Sequence, residues 1–223
     1  MIILVRHGEA THHIQNLTGG WTDSDLTATG RQQMESLAQQ LAKSFIGKEI
    51  PKIFASDLRR CFLGAKIIAK ALGNLPIEEN PLLREKNNGK AAGLTETEAR
   101  KFYNGPVDGT ELDHRNYVEG ETRREFFERS KKGFMEILPA GENIIIVSHK
   151  GSIQNMLFAW LNLSIEEVYK KNISFDIRPA SVTVLGINRW HEHTVFSLNN
   201  TGYLTEHEDL NIFRYKYLPR LKH

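Results

Sequence analysis

Two segments of the chain place chemically capable side chains directly after short apolar runs. Arg6-His7-Gly8 follows Ile2 to Val5, and Ser148-His149-Lys150-Gly151 follows Ile144 to Val147. Runs of this kind read as strands buried on both faces. In a parallel α/β sheet, ligands bind beyond the carboxyl ends of the strands. Two such ends bring His7 and His149 to one crevice, far apart though they are in sequence. Arg60 falls in the first turn of the helix that follows a third run, Ile53-Phe54-Ala55. If that strand is a neighbour, Arg60 faces the same crevice. The pocket then holds two imidazoles and two guanidiniums.

That set of groups suits a phosphoryl ligand. Guanidinium forks bind phosphate oxygens in bidentate fashion and keep their charge at physiological pH. A neutral imidazole nitrogen can attack phosphorus if its partner nitrogen is tied to a backbone carbonyl, which fixes the tautomer. A carboxylic acid must protonate the leaving oxygen. Glu85, after the apolar Leu82-Leu83, is the candidate. A lone Arg-His-Gly is weak, and a single loop histidine is usually structural. The joint pattern carries the reading.

The elements that must position these groups are legible from periodicity. Arg31 to Phe45 reads as a helix with Met34, Leu37, Leu41 and Phe45 on one face. Asp57 to Leu72, ended by Gly73, is a second, and Glu121 to Leu138, stopped by Pro139, a third. Ser152 to Leu161 is a fourth, and Ser164 with Glu167 forms a capping box for one more short helix. Ser181 to Ile187 and Thr194 to Leu198 read as two further strands, joined by a turn short enough for an antiparallel pair. Strands alternating with helices imply an α/β fold, a three-layer α/β/α sandwich with a mainly parallel central sheet. The polar, glycine-containing segment at about 86–120 reads as a lid or insertion with one short helix capped by Thr95 and Glu98, within a single domain over residues 1–223.

Composition narrows the function classes. The 223 residues are 40% hydrophobic and 25% charged, which excludes a disordered chain. No apolar run approaches the roughly 20 residues of a membrane span. The formal charge of +2 gives no general case for nucleic-acid or membrane binding. The basic residues Arg214, Lys216, Arg220 and Lys222 read as a solvated terminus. Cys61 is the one cysteine, so no intramolecular disulfide forms, and a reducing compartment fits. No targeting segment is read at the N-terminus, and a cytoplasmic location is the expectation.

Other clusters carry less. His12-His13 are adjacent, which points their rings in different directions on most backbones, and His191-Glu192-His193 lies in a hairpin turn. Neither has further ligands at metal spacing, so no metal and no other cofactor is expected. A cysteine-dependent phosphatase needs an arginine shortly after its cysteine, and position 67 is Ile67. Gly89-Lys90 lacks the spacing of a phosphate loop, and no dinucleotide fingerprint is present. Phe126, Phe127, Phe134 and Trp160 read as core, whereas Trp21 and Tyr103 fit core or pocket mouth equally.

Nearly the whole chain resembles the histidine phosphatase superfamily, which includes the phosphoglycerate mutase-like enzymes. Arg6-His7-Gly8-Glu9 matches the signature around the nucleophile, and Gly20-Trp21, Asp23, Leu26-Thr27 and Gly30 match the segment that follows. Ser56-Asp57-Leu58-Arg59-Arg60 matches the Ser-x-Leu-x-Arg type of motif, with the phosphate-binding arginine at Arg60 and a variable position at Arg59. Leu83, Glu85, Gly89 and Gly93-Leu94 match the segment with the acid. Gly120-Glu121-Thr122, Arg129 and Ser148-His149 match the remaining motifs.

The resemblance implies that His7 is phosphorylated and then dephosphorylated by water. It implies that Arg6, Arg60 and His149 hold the phosphoryl oxygens, and that Glu85 serves as acid and then base. Three positions depart from the pattern. His13 replaces a frequent pocket asparagine, Gly19 replaces a side chain that often contacts phosphate, and Lys150 replaces a glycine after the second histidine. These three are the expected substrate-binding positions, with His13 and Lys150 tuning substrate choice. The expected activity is that of a histidine acid phosphatase-like phosphomonoesterase acting on a small phosphorylated metabolite. The rivals are a phosphoglycerate mutase and a catalytically dead module that binds phosphorylated ligands or a protein partner. Glu96 stands where mutases carry a lysine, and the mutases' proline-rich lid stretch is absent.

Overall fold

The structure is a computed structural model and describes residues 1–140 and 143–204; the basic residues from Arg214 to Lys222 lie outside the described residues. Six strands form one sheet. They are β1 (Ile2–Arg6), β2 (Lys52–Ala55), β3 (Ile77–Glu79), β4 (Ile144–Ser148), β5 (Val182–Ile187) and β6 (His193–Asn200). Their spatial order is β3-β2-β4-β1-β5-β6. The first four run parallel, as expected. β5 then pairs antiparallel with β1, and β6 with β5. The short β3 and the antiparallel seam at β1 were not read from the sequence. β3 has three residues, two of them Glu78 and Glu79, so it lacks the apolar signature of its neighbours.

Alternation along the strands builds two cores. Ile3, Val5, Ile53, Ala55, Ile145 and Val147 face helices α2 (Ala28–Ser44) and α3 (Arg59–Ala71), where Met34, Leu37, Leu41, Ala65 and Ile68 meet them. Ile2, Leu4, Phe54, Ile144 and Ile146 face α5 (Arg123–Ile137) and α6 (Lys150–Trp160), against Phe134, Ile137, Ile153, Met156 and Trp160. Burying each such side chain contributes about 1.5–3 kcal/mol. Among the described residues there are also three short α-helices, α1 (Thr11–Ile14), α4 (Glu96–Ala99) and α7 (Ile165–Lys170). The capping boxes at Thr95 and Ser164 form as expected. Residues 86–120 carry α4 and two separate 3-10 turns, Gly89–Ala91 and Arg100–Phe102, where one short helix was expected.

Several helix boundaries shift by one to three residues from the sequence reading. Two shifts matter for the site. α3 starts at Arg59, which frees the Asp57 carboxylate to bind the Arg84 guanidinium, with Oδ1 2.7 Å from Nε. α6 starts at Lys150, directly after the strand-terminal histidine, so His149 is its N-cap residue.

The loop after β1 is fastened to the start of α2 by a contact between glycine backbones. A Cβ on Gly8 would sit 2.4 Å from the Gly30 carbonyl oxygen, and one on Gly30 would sit 1.9 Å from the Glu9 carbonyl oxygen. The Thr27 amide donates to the Glu9 carbonyl at 3.0 Å, and the Thr27 hydroxyl to the Glu9 carboxylate at 2.6 Å. Only glycine permits this approach.

Candidate active site

The parallel register decides which residues meet. Arg6 is opposite Ser148, and the ladder continues one step beyond the strands, with the His7 amide donating to the Ser148 carbonyl at 3.0 Å. His7 and His149 therefore emerge side by side, their ring centroids 5.2 Å apart in an edge-on arrangement. The Ser56 amide donates to the Val147 carbonyl, which aligns the end of β2 with the same rim. The first turn of α3 follows and carries Arg60 into the crevice. Arg60 is only 1% exposed, whereas its neighbour Arg59 turns outward to Asp25.

His7 is held in one tautomer. Its Nδ1 lies 2.7 Å from the Gly8 carbonyl oxygen, which can only accept, so Nδ1 carries the proton and Nε2 keeps its lone pair. Burial is the largest of the causes that hold the His7 pKa well below its ordinary value, followed by Arg60, His149 and Arg6. His149 is held low in the same way, by burial and then by Arg60 and Arg6. Its Nε2 lies 2.9 Å from the Ser56 hydroxyl and 3.3 Å from Cys61 Sγ. Both rings are neutral near pH 7.

The two guanidiniums are tied to backbone carbonyls rather than to carboxylates. Arg6 Nη1 donates to the Ile177 carbonyl at 2.6 Å. Arg60 donates to the carbonyls of Thr22 and Gly20, each at 2.7 Å, and to the Ser24 hydroxyl at 3.3 Å. Among the described residues neither has a carboxylate within 4.0 Å, and Nε of each is buried without an acceptor. A buried cation such as Arg60 without an ion-pair partner is costly, at several kcal/mol, and half-buried Arg6 adds to that cost. The compensation such a site invites is an anion with several acceptor oxygens.

Glu85 is held at the first turn of α6. Its Oε1 accepts from the Lys86 amide at 2.9 Å and its Oε2 from the Gly151 amide, in the first turn of α6, at 3.0 Å. The backbone behind it is anchored by Arg129, which donates to the carbonyls of Leu82, Arg84 and Glu85 at 2.9 Å each and binds Glu121. Trp21 lies against this segment, its indole N–H donating 2.8 Å to the Glu85 carbonyl and its ring under Arg84. Tyr103 is instead an exposed residue of the 86–120 segment, packed on Tyr117. Gly20, at φ +83°, lets the chain carrying Trp21 touch the Lys86 carbonyl.

The adjacent histidines overturn the expectation that their rings diverge. Both rings turn toward His7, with centroids at 6.3 Å for His12 and 5.6 Å for His13, and they lie 4.1 Å from each other. The reason is α1, a single helical turn hidden in the sequence by its length. His13 Nε2 lies 3.2 Å from Arg6 Nη2, while its Nδ1 accepts from the Ala10 amide at 3.2 Å. A neutral imidazole has one lone pair, yet two donors point at this ring.

His12 was not among the expected site residues. Gly19 faces the His12 ring. Lys150 lies at the rim, its ammonium 2.8 Å from Asp176. His193 belongs elsewhere, stacked on Trp160. Cys61 is fully buried beside His149, and Phe126, Phe127, Phe134 and Trp160 are core. Arg129 was found through resemblance alone, because no local pattern shows that its donors reach back over forty residues.

The chain is similar to known proteins in sequence and in fold. Over 188 residues the chain is 29% identical to the 2,3-bisphosphoglycerate-dependent phosphoglycerate mutase of Afipia carboxidovorans, which covers 78% of this chain and 87% of that one. Over 161 residues it is 31% identical to phosphoglycerate mutase-like protein 4 of Arabidopsis thaliana, covering 70% and 68% of the two chains. The solved alpha-ribazole phosphatase from Shigella flexneri shares the fold, with a TM-score of 0.72 over 90% of this chain and 96% of that one at 22% identity. Residues 2–201, from the first strand through the last, match the histidine phosphatase superfamily (branch 1), and the chain belongs to that superfamily.

Proposed function

We propose that this protein is a phosphatase that hydrolyses phosphate monoesters of small metabolites through a phosphohistidine on His7. The observation that carries the reading is the bond from His7 Nδ1 to the Gly8 carbonyl, 2.7 Å, which leaves Nε2 as a free nucleophile beside the buried Arg60 and half-buried Arg6 guanidiniums. In the first step Nε2 attacks phosphorus, the P–O ester bond breaks, and protonated Glu85 gives its proton to the leaving alkoxide. In the second, the Glu85 carboxylate takes a proton from water as the water oxygen attacks phosphorus. The P–N bond breaks, and phosphate and neutral His7 are released. Arg6, Arg60 and His149 stabilise the equatorial oxygens in both steps, the main task in in-line phosphoryl transfer. A phosphoryl oxygen between Arg6 and His13 also removes the conflict at His13, because it accepts from both.

A phosphoglycerate mutase is the second reading, favoured by the names of the curated relatives. It uses the same catalytic residues and differs in retaining a phosphoryl donor. Glu96 argues for the phosphatase, since it occupies the position of a mutase lysine and is an exposed carboxylate paired with Arg100.

The test is a broad panel of phosphate monoesters with EDTA present, comparing wild type with His7→Ala. Phosphate release that disappears in His7→Ala supports the phosphatase. Isomerisation dependent on a bisphosphoglycerate primer, with little phosphate release, transfers the chain to the mutases. Silence on every ester overturns both.

A further inference from the structure

His12 has one nitrogen committed and one free. Its Nδ1 lies 2.8 Å from Ser24 Oγ, and the same oxygen accepts a bond from Arg60 Nη1 at 3.3 Å. With Arg60 as donor, the Ser24 hydroxyl proton needs an acceptor, and His12 Nδ1 is within reach. The Ser24 O–H therefore donates to Nδ1, and the neutral ring carries its proton on Nε2. That Nε2–H has no hydrogen-bond partner among the described residues.

The space it occupies is informative. A Cβ built on Gly19 would lie 3.5 Å from both Nε2 and Cδ2 of His12. The His12 imidazole thus fills the region where a side chain at position 19 would project, and position 19 is where a phosphate-contacting side chain is missing. The ring is 6.3 Å from that of His7, and its hydroxyl partner is bonded to Arg60. Its charge state fits a neutral donor, since burial, His13 and Arg60 push its pKa down to about 3.

We infer that His12 is a further phosphoryl-binding residue, donating Nε2–H to a phosphoryl oxygen in place of the side chain absent at Gly19, with Ser24 fixing its tautomer. This deepens the proposed phosphatase reading and rests on it for the position of the phosphoryl group.

The experiment moves the donor from one residue to the other. His12→Phe keeps the ring and removes the N–H. His12→Ala/Gly19→Thr removes the ring and supplies a hydroxyl from position 19, which is free of left-handed backbone. Inhibition by orthovanadate, with kcat and KM for p-nitrophenyl phosphate, is measured beside the thermal midpoint, and calorimetry with inorganic phosphate gives binding independently of turnover. His12→Phe should weaken vanadate and phosphate binding about 10- to 100-fold, in proportion to one hydrogen bond to a charged group, with a lowered thermal midpoint because buried Ser24 loses its acceptor. His12→Ala/Gly19→Thr should recover most of the lost binding. His12→Gln, which keeps an N–H donor, should stay within about 3-fold of wild type.

Wild-type affinity in His12→Phe, or no recovery in the double variant, overturns the inference. If His12→Phe does not fold, His12→Met replaces it with the same two outcomes. Failure of the phosphatase reading is seen separately, as a wild type that releases no phosphate from any ester.

Discussion

Gly151 binds one oxygen of the Glu85 carboxyl group and, by lacking a side chain, leaves room for the other. Its amide donates to Oε2 at 3.0 Å, and a Cβ added to it would lie 2.4 Å from Oε1 and 2.8 Å from the Phe126 ring. Gly151→Ala therefore displaces the proposed acid while leaving His7 and the guanidiniums in place. The expected outcome is a kcat about 100-fold lower for alkyl phosphates, whose leaving groups need a proton, and a smaller loss for p-nitrophenyl phosphate. Comparing kcat for the two ester classes checks it; equal losses would speak against Glu85 as the acid.

Arg129 and Glu121 form a pair with side chains 15% exposed, and Arg129 also satisfies three carbonyls next to Glu85. Arg129→Met strips Glu121 of its counter-ion and the Leu82 carbonyl of its donor, while Trp21 and Ser152 still donate to the carbonyls of Glu85 and Arg84. A loss of about 3–5 kcal/mol in unfolding free energy is expected, read from urea midpoints at constant slope. Arg129→Met/Glu121→Gln should regain part of it, because the second substitution removes the stranded charge.

Stability should depend on pH through the four clustered imidazoles. His7 and His149 are held well below their ordinary values by burial first, His12 is pushed down to about 3, and His13 to about 4 by burial and Arg6. The unfolded chain takes up protons on these rings as pH falls through about 6.5, while the folded chain does not. Between about pH 6.5 and 4 the unfolded state binds more protons, so stability rises with pH across that window. The thermal midpoint should fall by about 10 °C or more from pH 7 to 4.5, and His13→Asn should flatten the slope.

Cys61 lies 3.3 Å from the His149 ring, yet it is fully buried, and that burial pushes its thiol pKa up. The thiolate is the reactive form. Iodoacetamide at pH 8 should therefore leave phosphate release intact in the native protein and alkylate Cys61 only after unfolding. Rapid inactivation of the folded protein would show a reachable thiolate beside the second histidine.

The parallel strands, the large helices and the meeting of His7, Arg60, Glu85 and His149 were legible because each depends on strong local signals. Apolar runs of four residues marked β1 and β4, and a single register then sufficed to pair their ends. β3 was hidden because Glu78 and Glu79 occupy an edge strand exposed to solvent. The convergence of His12 and His13 was hidden because α1 has four residues, too few for a periodic signal. Arg129 and Gly151 act through contacts that arise only once α5 and α6 are packed beside the Glu85 segment.

The Gly8–Gly30 contact works as a rivet between the nucleophile's turn and α2. Residues 11 to 24 hang between two points that cannot drift. The Gly8 carbonyl that fixes the His7 tautomer stands at the clamped end of that span, set by backbone packing and not by any side chain of the loop.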